Sequence, residues 1–137
     1  MNIEDKKIFS DKWFSYLQEQ ICNSFEKIEI ESRSQKKFIS TDWYKKSKGG
    51  GGGTYKILKN GKIFDKVGVN FSKVYGKFPK KFQNNILGAK KDPRFWASGI
   101  SVVMHMQNPY IPAMHFNTRF ICTTKNWFGG GMDVTPA

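Results

Sequence analysis

His115, Asn117 and Arg119 stand at alternate positions in the run from Met114 to Thr123. An imidazole moves a proton near neutral pH, an amide both donates and accepts, and a guanidinium grips a carboxylate with two parallel hydrogen bonds. In an extended strand, side chains two apart share a face, so the three project together in steps of about 6.6 Å. Met114, Phe116, Thr118 and Phe120 take the other face, which is largely apolar. The preceding run, Ser98 to Met106, adds Ser101, Val103 and His105 on one face and Ile100, Val102 and Met104 on the other. This set suits an anionic, protonatable ligand lying over the sheet, in a hollow beside the strand.

Taken singly, His115 reads as a hydrogen-bonded histidine and Arg119 as a surface arginine. The linear triple beside Ser101 and His105 tips the balance to function. His105 and His115 could hold a divalent transition ion, but the third donor such a site needs is not evident. Asp133 is the only carboxylate in the last forty residues. It reads equally as a base or N–H acceptor and as a strand-end turn residue. No Ser-His-Asp or Cys-His arrangement is convincing.

The elements that must position these groups follow from periodicity. Phe14, Leu17, Ile21, Phe25 and Ile28 form a 3.6-residue stripe, predicting a helix over about 10–29 with Ser10 and Asp11 at its start. Residues 32–48 are polar, basic and aperiodic, so loop is expected, and Gly49 to Gly53 read as a flexible linker or a closely approached backbone. No Gly-Lys-Ser/Thr follows the glycines, so they are not a Walker loop. After them Tyr55–Leu58 and Ile63–Val67 flank Asn60-Gly61, the sequence of a two-residue type I′ hairpin. Gly68 to Val74 could extend the second strand, and 76–96 reads as loop with a short helix. The two strands that carry the candidate site are joined by Gln107 to Ala113, too short for a crossover, and should pair antiparallel. Trp127 to Asp133 reads as a short strand broken by glycines. The sum is α+β: one partial domain over 1–137, with a helix, a basic and Gly-rich linker over about 32–53, and a sheet over about 54–136.

Composition sets outer limits. The chain has 137 residues, 39% hydrophobic and 15% aromatic, enough for a packed core. No run approaches a membrane span and the start lacks a signal peptide, so a soluble, cytoplasmic protein is expected. Cys22 and Cys122, far apart and outside any CxxC pair, read as reduced, buried thiols. The net charge of +12 is concentrated in residues 33–94, where 17 Lys and Arg face Asp42, Asp65 and Asp92. Such a segment suits nucleic acid, membrane headgroups or a small polyanion, although a lysine-rich solvated surface explains most of it.

Several linked motifs over about residues 41–136 resemble the oxygen-dependent coproporphyrinogen III oxidases. They are the glycine run with Asn60 to Gly76 behind it (ending GVNFSKVYG), Ala97 to His105, Asn108-Pro109-Tyr110-Ile111-Pro112, His115 to Phe120, and Trp127 to Pro136, in the family's order and spacing. The resemblance implies a flat, largely antiparallel sheet flanked by helices and a homodimer. It implies oxidative decarboxylation of the ring A and B propionates of coproporphyrinogen III to vinyl groups, in haem biosynthesis, with O₂ consumed and CO₂ and hydrogen peroxide released. It implies no organic cofactor and leaves the use of a divalent metal open, with His105 and His115 as the proposed ligands. By position, Ser101, Asn117, Thr118 and Arg119 would contact substrate and His115 would donate a proton. Met106, Gln107, Asn126 and Asp65 depart from the family's habits. The resemblance covers an amino-terminal half. In family members the remainder supplies further histidines, a second substrate arginine and the dimer-forming region. The chain is thus expected to be a truncated enzyme that needs a separately encoded second half, or an inactive remnant binding porphyrinogen-like polycarboxylates. A basic nucleic-acid-binding domain is a more distant reading, and nucleic acid is not expected as a partner.

Overall fold

The computed structural model describes residues 1–46 and 49–136. A helix, α1 (Ile3–Glu31), precedes six strands: β1 (Ile39–Tyr44), β2 (Gly50–Lys59), β3 (Phe64–Lys77), β4 (Arg94–Met106), β5 (Ala113–Cys122) and β6 (Asn126–Thr135). A single 3₁₀ turn, Lys80–Phe82, lies in the β3–β4 connection. The strands pair antiparallel in chain order across one sheet. The α+β class read from the sequence is observed, with α1 lying against β3 and β4 on one face.

The helix starts earlier than its apolar stripe. Asn2 is the N-cap, its Oδ1 accepting the Asp5 N–H at 2.8 Å, and Glu4 and Asp5 favour the positive end of the helix dipole. Ser10 and Asp11 lie inside the helix instead. The Ser10 hydroxyl donates to the Lys6 carbonyl, and Asp11 accepts from Lys73 Nζ at 3.0 Å and Ser98 Oγ at 3.1 Å. Phe14 and Cys22 join Leu58, Val67, Val69, Ile100, Val102, Met104 and Phe120 in the core, with Leu17, Ile21 and Phe25 packed at its margin. Each large apolar side chain so buried contributes about 1.5–3 kcal/mol. Ile28, the last of the stripe, is 39% exposed, and Glu29 beside it is buried. The buried Gln18 amide donates to the Thr54 and Val69 carbonyls, tying the helix to β2 and β3. Both cysteines are free and buried, and burial pushes the Cys22 thiol up to about 12.

Three expectations are corrected. The segment 32–53 is not a loop and linker, because it contains β1 and the start of β2. β1 is an edge strand with almost every side chain exposed, so it lacks the alternation that betrays a half-buried strand. The glycines are ordered backbone: a Cβ at Gly52 would strike the Trp43 carbonyl, and one at Gly53 the Phe71 carbonyl. The close-approach reading therefore holds, with Ser47 and Lys48 outside the described residues. The β2–β3 turn is not type I′, since Asn60 (φ +57°) takes positive φ and Gly61 does not. The reason is Glu29, whose carboxylate accepts the N–H groups of Lys62, Ile63 and Phe64 at 2.8–2.9 Å and holds a wider turn. β6 runs unbroken through Gly129–Gly131, because β5 supplies its ladder. Among the described residues, no helix is long and apolar enough to cross a membrane.

Candidate active-site face

Because α1 covers one side of the sheet, alternation leaves the other side open. On β4 the open face carries Ser101, Val103 and His105, all exposed, while Ile100, Val102 and Met104 are buried under the helix. On β5 it carries His115 and Arg119, exposed, and Asn117, half-buried. The three are thus on one side of one extended strand, as their spacing predicts.

Register then assembles the rows that cross the sheet. His115 pairs with Val103 on β4 and Asp133 on β6. Asn117 pairs with Ser101 and Gly131, and Arg119 with Gly99 and Gly129. Glycine therefore flanks the guanidinium on both sides, and a Cβ at Gly131 would meet nothing within 4 Å. The result is a flat shelf from which a few polar groups rise. Arg119 Nη2 donates to Asn117 Oδ1 at 2.6 Å, fixing the pair relative to each other. The His105 and His115 rings lie 5.8 Å apart, centroid to centroid. Asp133 Oδ2 accepts from its neighbour Thr135 at 2.9 Å.

Thr118 is not with this group. Strand alternation places its side chain on the helix side, between Phe116 and Phe120. The expected hollow is not there either: the shelf is open, since nothing in the described residues covers it. A groove of about 790 Å³ lies at the opposite end of the strands beside the start of α1, lined by Lys7, Tyr75, Lys77, Arg94, Trp96 and Cys122 among others. It contains none of the aligned groups, so chemistry rather than size locates the site. No cluster of three metal-type side chains occurs among the described residues. His105 and His115 by themselves leave a divalent ion short of donors.

A family model described as coproporphyrinogen III oxidase matches residues 10–137. The chain belongs to that family. Among its relatives, the oxygen-dependent coproporphyrinogen-III oxidases of Rickettsia typhi and Rickettsia prowazekii are each 52% identical to it, and that of Rickettsia africae is 51% identical. Each match covers 99% of this chain and 49% of the relative, so the chain spans about half the length of the curated relatives it matches.

The open face of this chain also includes residues that alternation within β4 and β5 alone does not reveal. Asn70 on β3 lies directly across from Ser101, and Tyr55 on β2 directly across from Asn70. Trp43 on β1 donates its indole N–H to Asn70 Oδ1 at 3.0 Å. The signal was present in Gly68-Val69-Asn70-Phe71-Ser72, where small or polar residues alternate with apolar ones. Gly68, Asn70 and Ser72 form its open-face set, and Val69 is buried.

Proposed function

We propose that this chain is the substrate-binding, amino-terminal part of an oxygen-dependent coproporphyrinogen III oxidase, acting on the ring A and B propionates of coproporphyrinogen III. The observation that carries the reading is the alignment of His115, Asn117 and Arg119 on one exposed sheet face, with Ser101 beside them in register. Family membership and the relatives' names support it further.

In this reading Arg119 and its partner Asn117 receive a propionate carboxylate, with Ser101 contributing a hydroxyl. His115 manages a proton at the reacting side chain. For each propionate anion, the carboxylate leaves as CO₂, a C–H bond of the ethylene unit breaks, and two electrons pass to O₂. O₂ takes up one proton from the substrate and one from solvent or His115, leaving as H₂O₂, and the side chain becomes vinyl. The two electrons come from the side chain and can reach O₂ through the electron-rich pyrrole, so the protein's tasks are positioning, proton transfer and carboxylate neutralisation. O₂ is the co-substrate and no organic cofactor is invoked. Asp133, across the ladder from His115, is the candidate to hold a pyrrole N–H. Thr118 would reach a ligand on the open face through its main chain alone. A cytoplasmic setting, and a homodimer or a separately supplied second half completing the domain, come with the family resemblance.

The test is titration of the chain with coproporphyrin III, followed by porphyrin fluorescence, and conversion of coproporphyrinogen III with and without a relative's carboxy-terminal half. Binding by the chain is expected, weakened roughly tenfold or more in Arg119→Ala through loss of a charge-assisted hydrogen bond, with turnover in the reconstituted pair. An absence of binding together with an absence of turnover in that pair defeats the reading.

A further inference from the structure

In the row that crosses the open face at Ser101, an amide stands on each side of the serine. Asn70 pairs with Ser101 from β3, and Asn117 pairs with it from β5. Each amide oxygen is already engaged, Asn70 Oδ1 by the Trp43 indole N–H at 3.0 Å and Asn117 Oδ1 by Arg119 at 2.6 Å. Indole and guanidinium nitrogens donate and do not accept, so these contacts fix which way each amide faces. In both cases it is the NH₂ group that is left over, with no partner among the described residues. The two asparagines flank Ser101 in the ladder. Two strand spacings of about 4.8 Å separate Asn70 from Asn117 along the row. Nothing lies within 4 Å of where a side chain would start at Gly68 or Gly131, so a flat ligand can reach both amides.

We propose that Asn70, held by Trp43, is a second carboxylate donor of this face, so that one ligand places one acid group at Asn117 and Arg119 and another at Asn70. The inference rests on the reading of the open face as a porphyrinogen site and adds what selects the ligand: two acid groups spaced across two strands. Trp43 is a positioning residue, and its effect runs through Asn70. Preorganising an amide in this way spares a ligand the cost of ordering it.

Asn70→Asp tests this, because it keeps the oxygen that Trp43 needs and replaces the donor by an oxyanion of the same shape. The probes are coproporphyrin III and its tetramethyl ester, titrated against the full chain by fluorescence. Asn70→Asp is expected to weaken the free acid roughly tenfold or more while leaving the ester unchanged, since like charges oppose only the former. Asn70→Ser, which removes the donors and adds no charge, should weaken the acid alone by a smaller factor and stands in if the aspartate variant does not fold. Trp43→Phe should weaken the acid roughly threefold, and add nothing on top of Asn70→Ser, if it works through Asn70. Equal losses for acid and ester, or no loss for either, overturn the inference and leave Asn70 as the structural partner of Trp43. If wild-type chain binds neither probe, this inference falls, and if the reconstituted pair also gives no turnover the porphyrinogen reading falls with it. If Arg119→Ala weakens the acid and Asn70→Asp does not, only the inference fails.

Discussion

Glu29 is the most constrained single residue of the molecule. It is fully buried near the end of α1, and three backbone N–H groups of the β2–β3 turn converge on its carboxylate. Burial works to raise its pKa, but the bonds from Phe64, Ser34, Lys62 and Ile63 outweigh burial and hold it below the usual carboxylate value. A carboxyl with a lowered folded-state pKa contributes stability above its unfolded pKa of about 4.3, and that contribution is lost as pH falls through the folded value. Thermal unfolding followed from pH 7 down to pH 3 should show stability declining below about pH 4.3 in the wild-type chain. Glu29→Gln should lower stability at pH 7 by about 1–3 kcal/mol, the cost of leaving a buried donor unpaired, and show a shallower decline in acid. An unchanged acid limb in that variant would assign the decline to other carboxylates.

Strands and turns set how much of this was legible beforehand. α1, β3, β4 and β5 were readable because each buries one face, so hydrophobicity marks their period. β1 was not, because an exposed edge strand has no buried side to mark it. The turn at Asn60 was misread because Glu29, remote in sequence, decides its geometry. On the site, alternation fixed the common face of His115, Asn117 and Arg119, whereas Asn70 needed the β3–β4 register, which no single strand encodes. Thr118 was grouped with its neighbours by motif, although the pleat sends its side chain the other way. At Gly99 a Cβ would come within 2.6 Å of the Thr118 carbonyl and 2.9 Å of Arg119 Cβ, whereas Gly131 has empty space. Gly131→Leu should therefore change thermal stability by less than about 0.5 kcal/mol, as surface changes usually do, yet weaken coproporphyrin III by covering the shelf. Gly99→Leu should be destabilising. Equal stability for the two variants would show that the β4–β5 spacing relaxes around added atoms.

For the whole molecule, the decisive feature is that one helix shields one side of a six-stranded sheet. The helix packs mainly on β3 and β4 and meets β6 at its start, through Lys6 with Asn126 and Phe14 with Phe128, so much of the helix-side surface of β6 stays open: Phe128, Met132 and Val134 are 64%, 66% and 47% exposed. Phe9, on the flank of α1, lines a groove with Phe128 and is itself 58% exposed. β6 is also an edge of the sheet, with a row of backbone groups unpaired within it. Apolar patches of this kind on a free strand edge favour edge-to-edge pairing. The chain by itself should therefore associate at micromolar concentrations, in a manner that persists at high salt because burial rather than charge drives it. Sedimentation velocity should show the sedimentation coefficient rising with concentration. Met132→Lys with Val134→Lys should suppress that rise, since charged side chains on an edge strand oppose pairing, without changing the affinity for coproporphyrin III on the other face. Suppression by salt in place of the lysines would instead assign association to the charge-rich segment around residues 33–94.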